Sequence, residues 1–224
     1  MIILQVSDLH GHRGMIEKIS NKTKEIGADL IIFVGDVTNF GTIEEFKSIL
    51  LDLSRITNRK IYFVPGNCDP RDALNAKVSE DIVNLHMKIE EDRSLIFGGI
   101  GGSNKTPFST PIELDENEIE RILREFSAID FRRFVLVTHV PPYKTLDKVR
   151  FGRHVGSKKL REFIETYQPR LILTAHIHES RGIYRLGESL IINAGPAANG
   201  YAAVIKIKIE KKDEINVSAN LIEL

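Results

Sequence analysis

The chain has 224 residues, enough to bury a substantial core, and we expect a single domain over residues 1–224. Lysine plus arginine and aspartate plus glutamate both count 31, so a formal net charge of zero gives no reason to expect a nucleic acid or an anionic membrane as partner. A single cysteine excludes an internal disulfide, and no apolar run approaches the ~18 residues that span a bilayer. With no basic leader after Met1, we expect a cytoplasmic protein.

The first third of the chain predicts alternating strands and helices. Three apolar runs predict strands, and two segments with apolar residues at helical spacing predict helices between them. The second run is too continuous for a half-exposed strand, so we expect it to be buried on both faces. In chain order these segments are residues 1–6 (strand), 15–26 (helix, closed by Gly27), 29–34 (strand), 42–56 (helix) and 61–64 (strand).

The middle of the chain is less regular. Residues 86–90 and 94–100 predict a hairpin around residues 91–93, followed by a glycine-rich loop over residues 98–102 and an exposed loop over residues 103–111. Two further helix and strand pairs follow. They are a helix with the capping box Asp115 and Glu118 before the strand 134–138, and a helix between Ser157 and Pro169 before the strand 170–174.

The C-terminal part predicts strands without helices between them, at residues 183–186, 189–193, 203–210 and 215–221. Alternating strands and helices followed by hairpins indicate an α/β protein in layers. We expect a second, mostly antiparallel sheet packed against the first.

Side chains that can bind metals follow five of the predicted strands. Because ligands of open α/β sheets bind outside the carboxyl ends of the strands, we expect these side chains to meet. These side chains are too many to be the ligands of a single metal ion. Imidazole, carboxylate and amide donors together suit Mn, Fe, Co, Ni or Zn better than Ca or Mg. The candidate ligands are Asp8, His10, Asp36, Asn67, His139, His176 and His178.

These residues resemble the motifs of the calcineurin-like metallophosphoesterases, including small prokaryotic phosphodiesterases. The motifs are Asp8-x-His10, Gly35-Asp36, Gly66-Asn67, His139 and His176-x-His178, in this order. The resemblance implies a four-layered α/β/β/α sandwich with two packed mixed sheets. It also implies two divalent transition ions, manganese first and Fe, Zn, Co or Ni as alternatives, which share a bridging hydroxide that attacks the phosphate ester.

The same resemblance implies a role for each candidate ligand. One ion would be held by Asp8, His10 and His178, the other by Asn67, His139 and His176, with Asp36 bridging the two. Asp36, Asn67 and His139 would also act in catalysis.

The chain departs from the family pattern at Cys68, where a histidine is usual. A thiol with a pKa near ~8.5 is a poor general acid at neutral pH, which favours a phosphodiesterase over a monoesterase. Alternatively, Cys68 is only a small buried residue. Ala175 also replaces a usual glycine, and we expect little effect from that change.

Several other residues have a functional and a structural interpretation. His154 is a candidate replacement for the missing donor or an exposed loop histidine, and His12 is a weaker candidate for substrate contact. His86 is interpreted as structural. Asn193 lies in a segment that resembles a turn that the family keeps near its site. Arg150 and Arg153 are candidates for holding a second phosphate, and Phe40 and Phe108 for stacking on a nucleobase or packing under a loop.

The predicted function is therefore a phosphodiesterase that acts on a small phosphate ester or nucleotide-like substrate. Two alternatives remain: a non-catalytic metal-binding scaffold for protein interaction, and a nuclease. The zero net charge and the lack of a DNA-binding appendage disfavour the nuclease.

Overall fold

The computed structural model describes residues 1–209 and 215–224, which contain fourteen strands and four α-helices. The strands are β1 (Ile2–Val6), β2 (Leu30–Val34), β3 (Lys60–Val64), β4 (Ile82–Asn84), β5 (Ile89–Asp92), β6 (Leu95–Ile100), β7 (Ser103–Asn104), β8 (Glu113–Leu114), β9 (Phe134–Thr138), β10 (Leu171–Thr174), β11 (Gly182–Leu186), β12 (Ser189–Asn193), β13 (Tyr201–Ile209) and β14 (Ile215–Glu223). The helices are α1 (Met15–Ile26), α2 (Ile43–Thr57), α3 (Glu116–Arg124) and α4 (Lys158–Tyr167).

Twelve of the strands form two six-stranded sheets. Sheet A has the order β14-β13-β1-β2-β3-β4, and sheet B has the order β11-β12-β10-β9-β6-β5. In sheet A the strands β1 to β4 run parallel, while β13 pairs antiparallel with both β1 and β14. In sheet B the strands β12, β10, β9 and β6 run parallel, and the two edge strands are antiparallel. Both sheets are therefore mixed.

Three buried clusters define four layers. Successive side chains of a strand point to opposite faces, so Ile3 of β1 packs between the two sheets while Leu4 packs under the helices. The helices α1 and α2 cover the outer face of sheet A, and α3 and α4 cover the outer face of sheet B. Tyr62 and Phe97 make an edge-to-face contact between the sheets, with ring centroids 5.1 Å apart. The predicted α/β/β/α sandwich is confirmed.

The predicted helix ends are confirmed by their caps. Gly27 ends α1 with a φ of 63°, in the left-handed region that glycine adopts without strain. Asp115 and Glu118 form the capping box of α3, and the Ser157 hydroxyl accepts the backbone N–H of Leu160 at the start of α4. Among the described residues, no helix is long and apolar enough to cross a membrane.

Three details of the predicted topology are wrong. The second sheet is mixed rather than mostly antiparallel, and β13 and β14 join the first sheet. Gly98 and Gly99 lie inside β6 rather than in a loop. Packing explains why both are glycines: a Cβ at Gly98 would press against two phenylalanine rings, and one at Gly99 would overlap Val64. The hairpin is confirmed, but its turn lies at Arg93 and Ser94.

The short strands β4, β7 and β8 have no counterpart among the predictions, since two or three residues show no periodicity. The last predicted strand pair is confirmed as β13 and β14. Glu210, the predicted end of the first of these strands, lies outside the described residues.

Candidate metal centre

The predicted ligands meet where parallel strands of both sheets end. Asp8 and His10 follow β1, Asp36 follows β2 and Asn67 follows β3, while the other three histidines follow β9 and β10. Backbone hydrogen bonds hold the first two loops side by side: the N–H of Asp8 donates to the carbonyl of Gly35 and that of His10 to the carbonyl of Asp36, each at 2.9 Å. The pairing of neighbouring strands therefore continues into the site.

Four of these residues have a backbone conformation that side chains rarely adopt. The φ angles are 52° at Asp8, 49° at His10, 52° at Asp36 and 72° at His176. A left-handed conformation of a residue other than glycine costs on the order of 1–3 kcal/mol and persists where the surrounding structure imposes it, typically at functional sites. This conformation therefore recurs at three of the strand ends that carry candidate ligands.

Two glycines allow the loops to approach closely. A Cβ at Gly35 would overlap the imidazole of His139, and a Cβ at Gly66 would overlap the carboxylate of Asp36. The Gly-Asp and Gly-Asn pairs of the sequence therefore have a steric reason: the first residue of each makes room for a neighbouring side chain.

The first group of donors contains Asp8, His10 and His178, whose nearest donor atoms lie within 4.8 Å of one another. Nε2 of His178 lies 3.3 Å from Oδ1 of Asp8. The Asp8 side chain is fully buried, yet neither carboxylate oxygen accepts a hydrogen bond from the described residues, and neither does Nδ1 of His10. Because an unpaired buried carboxylate is costly, this geometry fits a bound cation.

The second group contains Asp36, His139 and His176. Nε2 of His139 lies 3.4 Å from Oδ2 of Asp36 and 3.1 Å from Oδ1 of Asn67. Nδ1 of His139 lies 2.9 Å from the carbonyl of Val34 and donates to it in the tautomer that leaves Nε2 for a metal. A backbone carbonyl therefore orients the imidazole.

Asp36 connects the two groups. Its Oδ2 lies 3.4 Å from His139 and 3.8 Å from His10, and a third possible donor set combines His10, Asp36 and Cys68. Burial disfavours the ionised carboxylate, but the charge and hydrogen bond of His139, the charge of His10 and the N–H of Cys68 together outweigh burial, so the pKa of Asp36 lies below its ordinary value. A carboxylate at this position can contact ions on both sides.

The histidines divide into two kinds. Burial lowers the pKa of His10, and burial together with the His139 charge lowers that of His176 to about 4, so both imidazoles are neutral, the form that binds metals. For His139 burial lowers the pKa, but Asp36, Asp8 and the Val34 carbonyl together outweigh burial and raise the pKa to about 9. The Asp8 carboxylate beside it raises the pKa of His178.

Asp69 holds two of the ligand loops together. Its buried carboxylate accepts the backbone N–H groups of Gly66 and Thr38 at 2.8 Å and of Val37 at 3.2 Å, and also the Thr38 hydroxyl. Burial and the Asp36 charge raise the pKa of Asp69 to about 7 against these donors. Both oxygens of Asp69 are therefore occupied by donors of the two loops.

Cys68 lies at the edge of the centre. Its N–H donates to Oδ1 of Asp36 at 2.8 Å, and its Sγ lies 3.5 Å from Nδ2 of Asn67. Burial first, and then the charge of Asp36, raise the pKa of the thiol. The side chain is half-buried and stays protonated at neutral pH.

Two of the other candidate histidines have partners away from these donor groups. Nδ1 of His154 lies 2.6 Å from Oδ1 of Asp147, a fully buried carboxylate that also accepts backbone N–H groups. Nδ1 of His12 lies 3.0 Å from the carbonyl of Leu9, at the surface. The structure therefore gives both of them loop-stabilising contacts.

His86 accepts the backbone N–H of Gly101 at Nδ1, at 3.0 Å, and burial lowers its pKa to about 4. The His86 imidazole is therefore harder to protonate in the folded protein than in the unfolded chain, where a histidine has a pKa near ~6.5. We expect the contribution to the free energy of unfolding, about 2–3 kcal/mol, to be complete above pH ~6.5 and lost as pH falls to ~4.

This expectation is measured by denaturant unfolding of chelator-treated protein at pH 7 and pH 4.5. His86→Asn retains an acceptor for Gly101 but does not titrate, so its stability should depend less on pH by that amount. An equal pH dependence in the two proteins would contradict the role of His86.

Asn193 is fully buried beside the last ligand loop. Its Nδ2 donates to the carbonyl of Ile177, between the two histidines of that loop, and its Oδ1 accepts the N–H of Gly195. The turn noted in the sequence therefore positions His176 and His178.

A cavity adjoins Asn67 and His176, and both predicted phosphate-binding arginines and Phe108 line it. Phe40 is 60% exposed and lies elsewhere. Sequence reasoning missed Phe151, another lining residue. The available signal was an aromatic residue within a charged loop, between Arg150 and Arg153.

Residues 1–180 match the profile of the calcineurin-like phosphoesterases, which spans all seven predicted ligands. The chain belongs to this family. Family membership supports metal-dependent hydrolysis of phosphate esters, and the donor groups described above are consistent with it.

Two relatives and one solved structure extend the comparison. An uncharacterized protein of Methanocaldococcus jannaschii is 36% identical over 203 residues, which cover 88% of each chain. A probable glycerophosphodiester phosphodiesterase of Arcobacter nitrofigilis is 26% identical, over 80% of this chain and 72% of that protein. A solved structure from Thermus thermophilus superposes with a TM-score of 0.71 over 97% of each chain at 18% identity, and so shares the calcineurin-like fold.

Proposed function

We propose that this calcineurin-like phosphoesterase is a phosphodiesterase that uses two divalent metal ions to hydrolyse small phosphate esters, within a single domain over residues 1–224. The observation that carries the proposal is the buried Asp8 carboxylate, which accepts no hydrogen bond from the described residues and faces two imidazoles. A cation beside it would offset a charge that is otherwise costly to bury.

The proposed ligand sets are based on the two donor groups, with Asn67 added to the second and Asp36 placed between the two. Asp8, His10 and His178 hold one ion, Asn67, His139 and His176 hold the other, and Asp36 lies between them. Mixed imidazole, carboxylate and amide donors favour a first-row transition ion, and we propose manganese, with iron, zinc, cobalt and nickel as the alternatives to test.

Bound ions of this kind supply Lewis acidity and an acidified water at neutral pH. The protein supplies orientation and charge. Asp8 and Asp36 offset two of the four positive charges of two dications, which leaves a formal charge of +2 that attracts a phosphate ester. Asn67 lines the adjacent cavity, so its amide can contact a phosphate oxygen, while the Val34 carbonyl keeps the imidazole of His139 in place.

The proposed preference for diesters rests on Cys68. The raised pKa of its thiol makes it a poor proton donor to a basic leaving group. Diesters with good leaving groups need such a donor least. The probable glycerophosphodiester phosphodiesterase of Arcobacter nitrofigilis, with 26% identity, supports the same assignment.

Cys68→His is expected to raise monoesterase activity relative to diesterase activity, because an imidazole can protonate a basic leaving group. Since Asp69 is fully engaged with backbone donors, the new ring must be oriented by substrate or water. Overpacking can cost ~1–3 kcal/mol, so the ratio of the two kcat/KM values is the informative quantity.

Cys68→Asn, which adds polar bulk without a titrating group near neutral pH, is the matched control for this variant. It should leave the ratio unchanged. A ratio that stays constant in a folded and fully metallated Cys68→His protein would show that the thiol does not determine the preference.

The function is tested by removing metals, reloading with single ions and measuring both stoichiometry and turnover. We expect two manganese ions per chain and faster hydrolysis of bis(p-nitrophenyl) phosphate than of p-nitrophenyl phosphate. A stoichiometry of one with every ion would contradict the shared Asp36. Two bound ions without turnover would favour the scaffold, and cleavage of an oligonucleotide would favour the nuclease.

A further inference from the structure

The cavity beside Asn67 and His176 has a volume of about 740 Å³. Small-molecule sites commonly measure ~300–1,000 Å³. A ligand whose phosphate lies at the proposed metal centre would therefore have space for a sizeable second group, and the residues around this space indicate its chemistry.

Two segments form the walls of the cavity, and hydrogen bonds hold both in place. The loop over residues 104–110 is fixed by Glu113, which accepts the hydroxyls of Thr106 and Thr110. The opposite hairpin, residues 147–155, is closed by the N–H of Val149 donating to the carbonyl of Arg153 at 2.9 Å. Nδ2 of Asn104 in the loop donates to the carbonyl of Val155 in the hairpin at 2.7 Å, so the two walls are joined directly.

Each wall carries a phenylalanine that the protein does not bury. Phe108 of the loop is 79% exposed and Phe151 of the hairpin is 92% exposed, and both line the cavity. Neither ring contributes to the packing of the core. Aromatic rings next to a binding cleft provide flat apolar surface on which a nucleobase of any kind can stack.

The cavity also carries positive charge. Lys105, Arg150 and Arg153 contribute three charges and Glu179 removes one, which leaves a formal +2. Within residues 1–209 and 215–224, the three basic side chains form no hydrogen bond or ion pair. The carboxylate of Glu179 instead accepts the backbone N–H of Arg150 at 3.0 Å and fixes the hairpin.

Resting on the proposed function, we infer that the substrate is a nucleotide ester whose base stacks on Phe108 and Phe151 and which carries a second phosphate. Lys105, Arg150 and Arg153 hold that second phosphate, while the scissile phosphate lies at the metal centre. A small polyol ester would leave both rings in water and the three cations without a partner, so the cavity favours the nucleotide.

The test measures binding rather than turnover. Calorimetric titration of manganese-loaded protein compares ribose 5-phosphate, AMP, ADP and adenosine 3′,5′-bisphosphate. We expect AMP to bind about tenfold more tightly than ribose 5-phosphate, in line with the energy of base stacking on an aromatic ring. At least one of the two bisphosphorylated nucleotides should bind several-fold more tightly than AMP.

Variants assign these differences to residues. Phe151→Ala should weaken the binding of AMP several-fold, towards that of ribose 5-phosphate, because only Phe108 remains for the base, and should leave the binding of ribose 5-phosphate unchanged. The double change Arg150→Ala and Arg153→Ala should remove the advantage of the second phosphate. Tyr184→Ala and Arg185→Ala, an exposed aromatic residue and an arginine on β11 outside the cavity, are the matched controls and should change nothing.

Equal binding of AMP and ribose 5-phosphate, or equal weakening of both in Phe151→Ala, would overturn the inference. So would the absence of any gain from a second phosphate. Hydrolysis of bis(p-nitrophenyl) phosphate without base-dependent binding rejects this inference alone, whereas base-dependent binding without hydrolysis of any ester rejects the proposed phosphodiesterase.

Discussion

Asp36→Asn is expected to lower kcat/KM for bis(p-nitrophenyl) phosphate on the order of a thousandfold, the upper range for removing one preorganised charge or donor from an active site. The reason is that Asp36 lies between both donor groups, 3.4 Å from His139 and 3.8 Å from His10. Asparagine retains Oδ1 as acceptor for the N–H of Cys68 and tolerates the left-handed φ of 52°. The change therefore isolates the negative charge, and steady-state kinetics with metal analysis measure its effect.

The comparison variants are His12→Gln, His86→Asn and His154→Gln. Each removes an imidazole whose contacts in the structure are a backbone group or a carboxylate outside the donor groups. Activity should therefore fall by less than about tenfold, well below the ~10²–10⁴-fold that a catalytic acid or base contributes. If His154→Gln lost as much activity as Asp36→Asn while retaining both ions, His154 would be identified as a catalytic donor.

Asp8→Asn is expected to have two opposite effects: loss of one metal ion and a more stable metal-free protein. The Asp8 carboxylate is fully buried and accepts no hydrogen bond from the described residues. Replacing it with a neutral amide removes a buried charge that no hydrogen bond from the described residues stabilises, which should raise the free energy of unfolding of metal-free protein by about 1–3 kcal/mol. Manganese should then stabilise the variant much less than the wild type.

Denaturant unfolding at pH 8 with and without manganese measures both effects, since protonation of His178 compensates the carboxylate least at high pH. Asp147→Asn is the matched control. Asp147 is also fully buried, but it accepts the N–H groups of Lys144, Thr145 and Gly156, so its replacement should destabilise the protein. Destabilisation by Asp8→Asn of the same size would show that Asp8 is held by ordinary contacts rather than prepared for a cation.

The sequence alone was sufficient to predict the main strands, the four α-helices and their caps. These depend on local properties: the apolar period of each segment, and residues such as Gly27, Asp115 and Ser157 whose cap geometry involves only near neighbours. The candidate ligands were also predictable as a group, because the carboxyl ends of parallel strands lie at one edge whatever the order of the strands. The structure brings six of the seven into two donor groups, and Oδ2 of Asp36 in the second group lies 3.8 Å from Nε2 of His10 in the first.

The tertiary structure decided what depends on distant partners. The pairing of β13 with β1 joins residues about two hundred positions apart, and no local period encodes it. Gly98 and Gly99 have the composition of a loop, and only the rings and side chains that pack against β6 explain why glycines lie within a strand. Three features depend on which loops lie next to one another: the hydrogen bonds of Asp69, the buried Asp8 carboxylate without a hydrogen bond from the described residues, and the exposure of Phe151. Sequence periodicity records which face of an element is apolar, whereas burial and hydrogen-bond partners are properties of the assembled sheets.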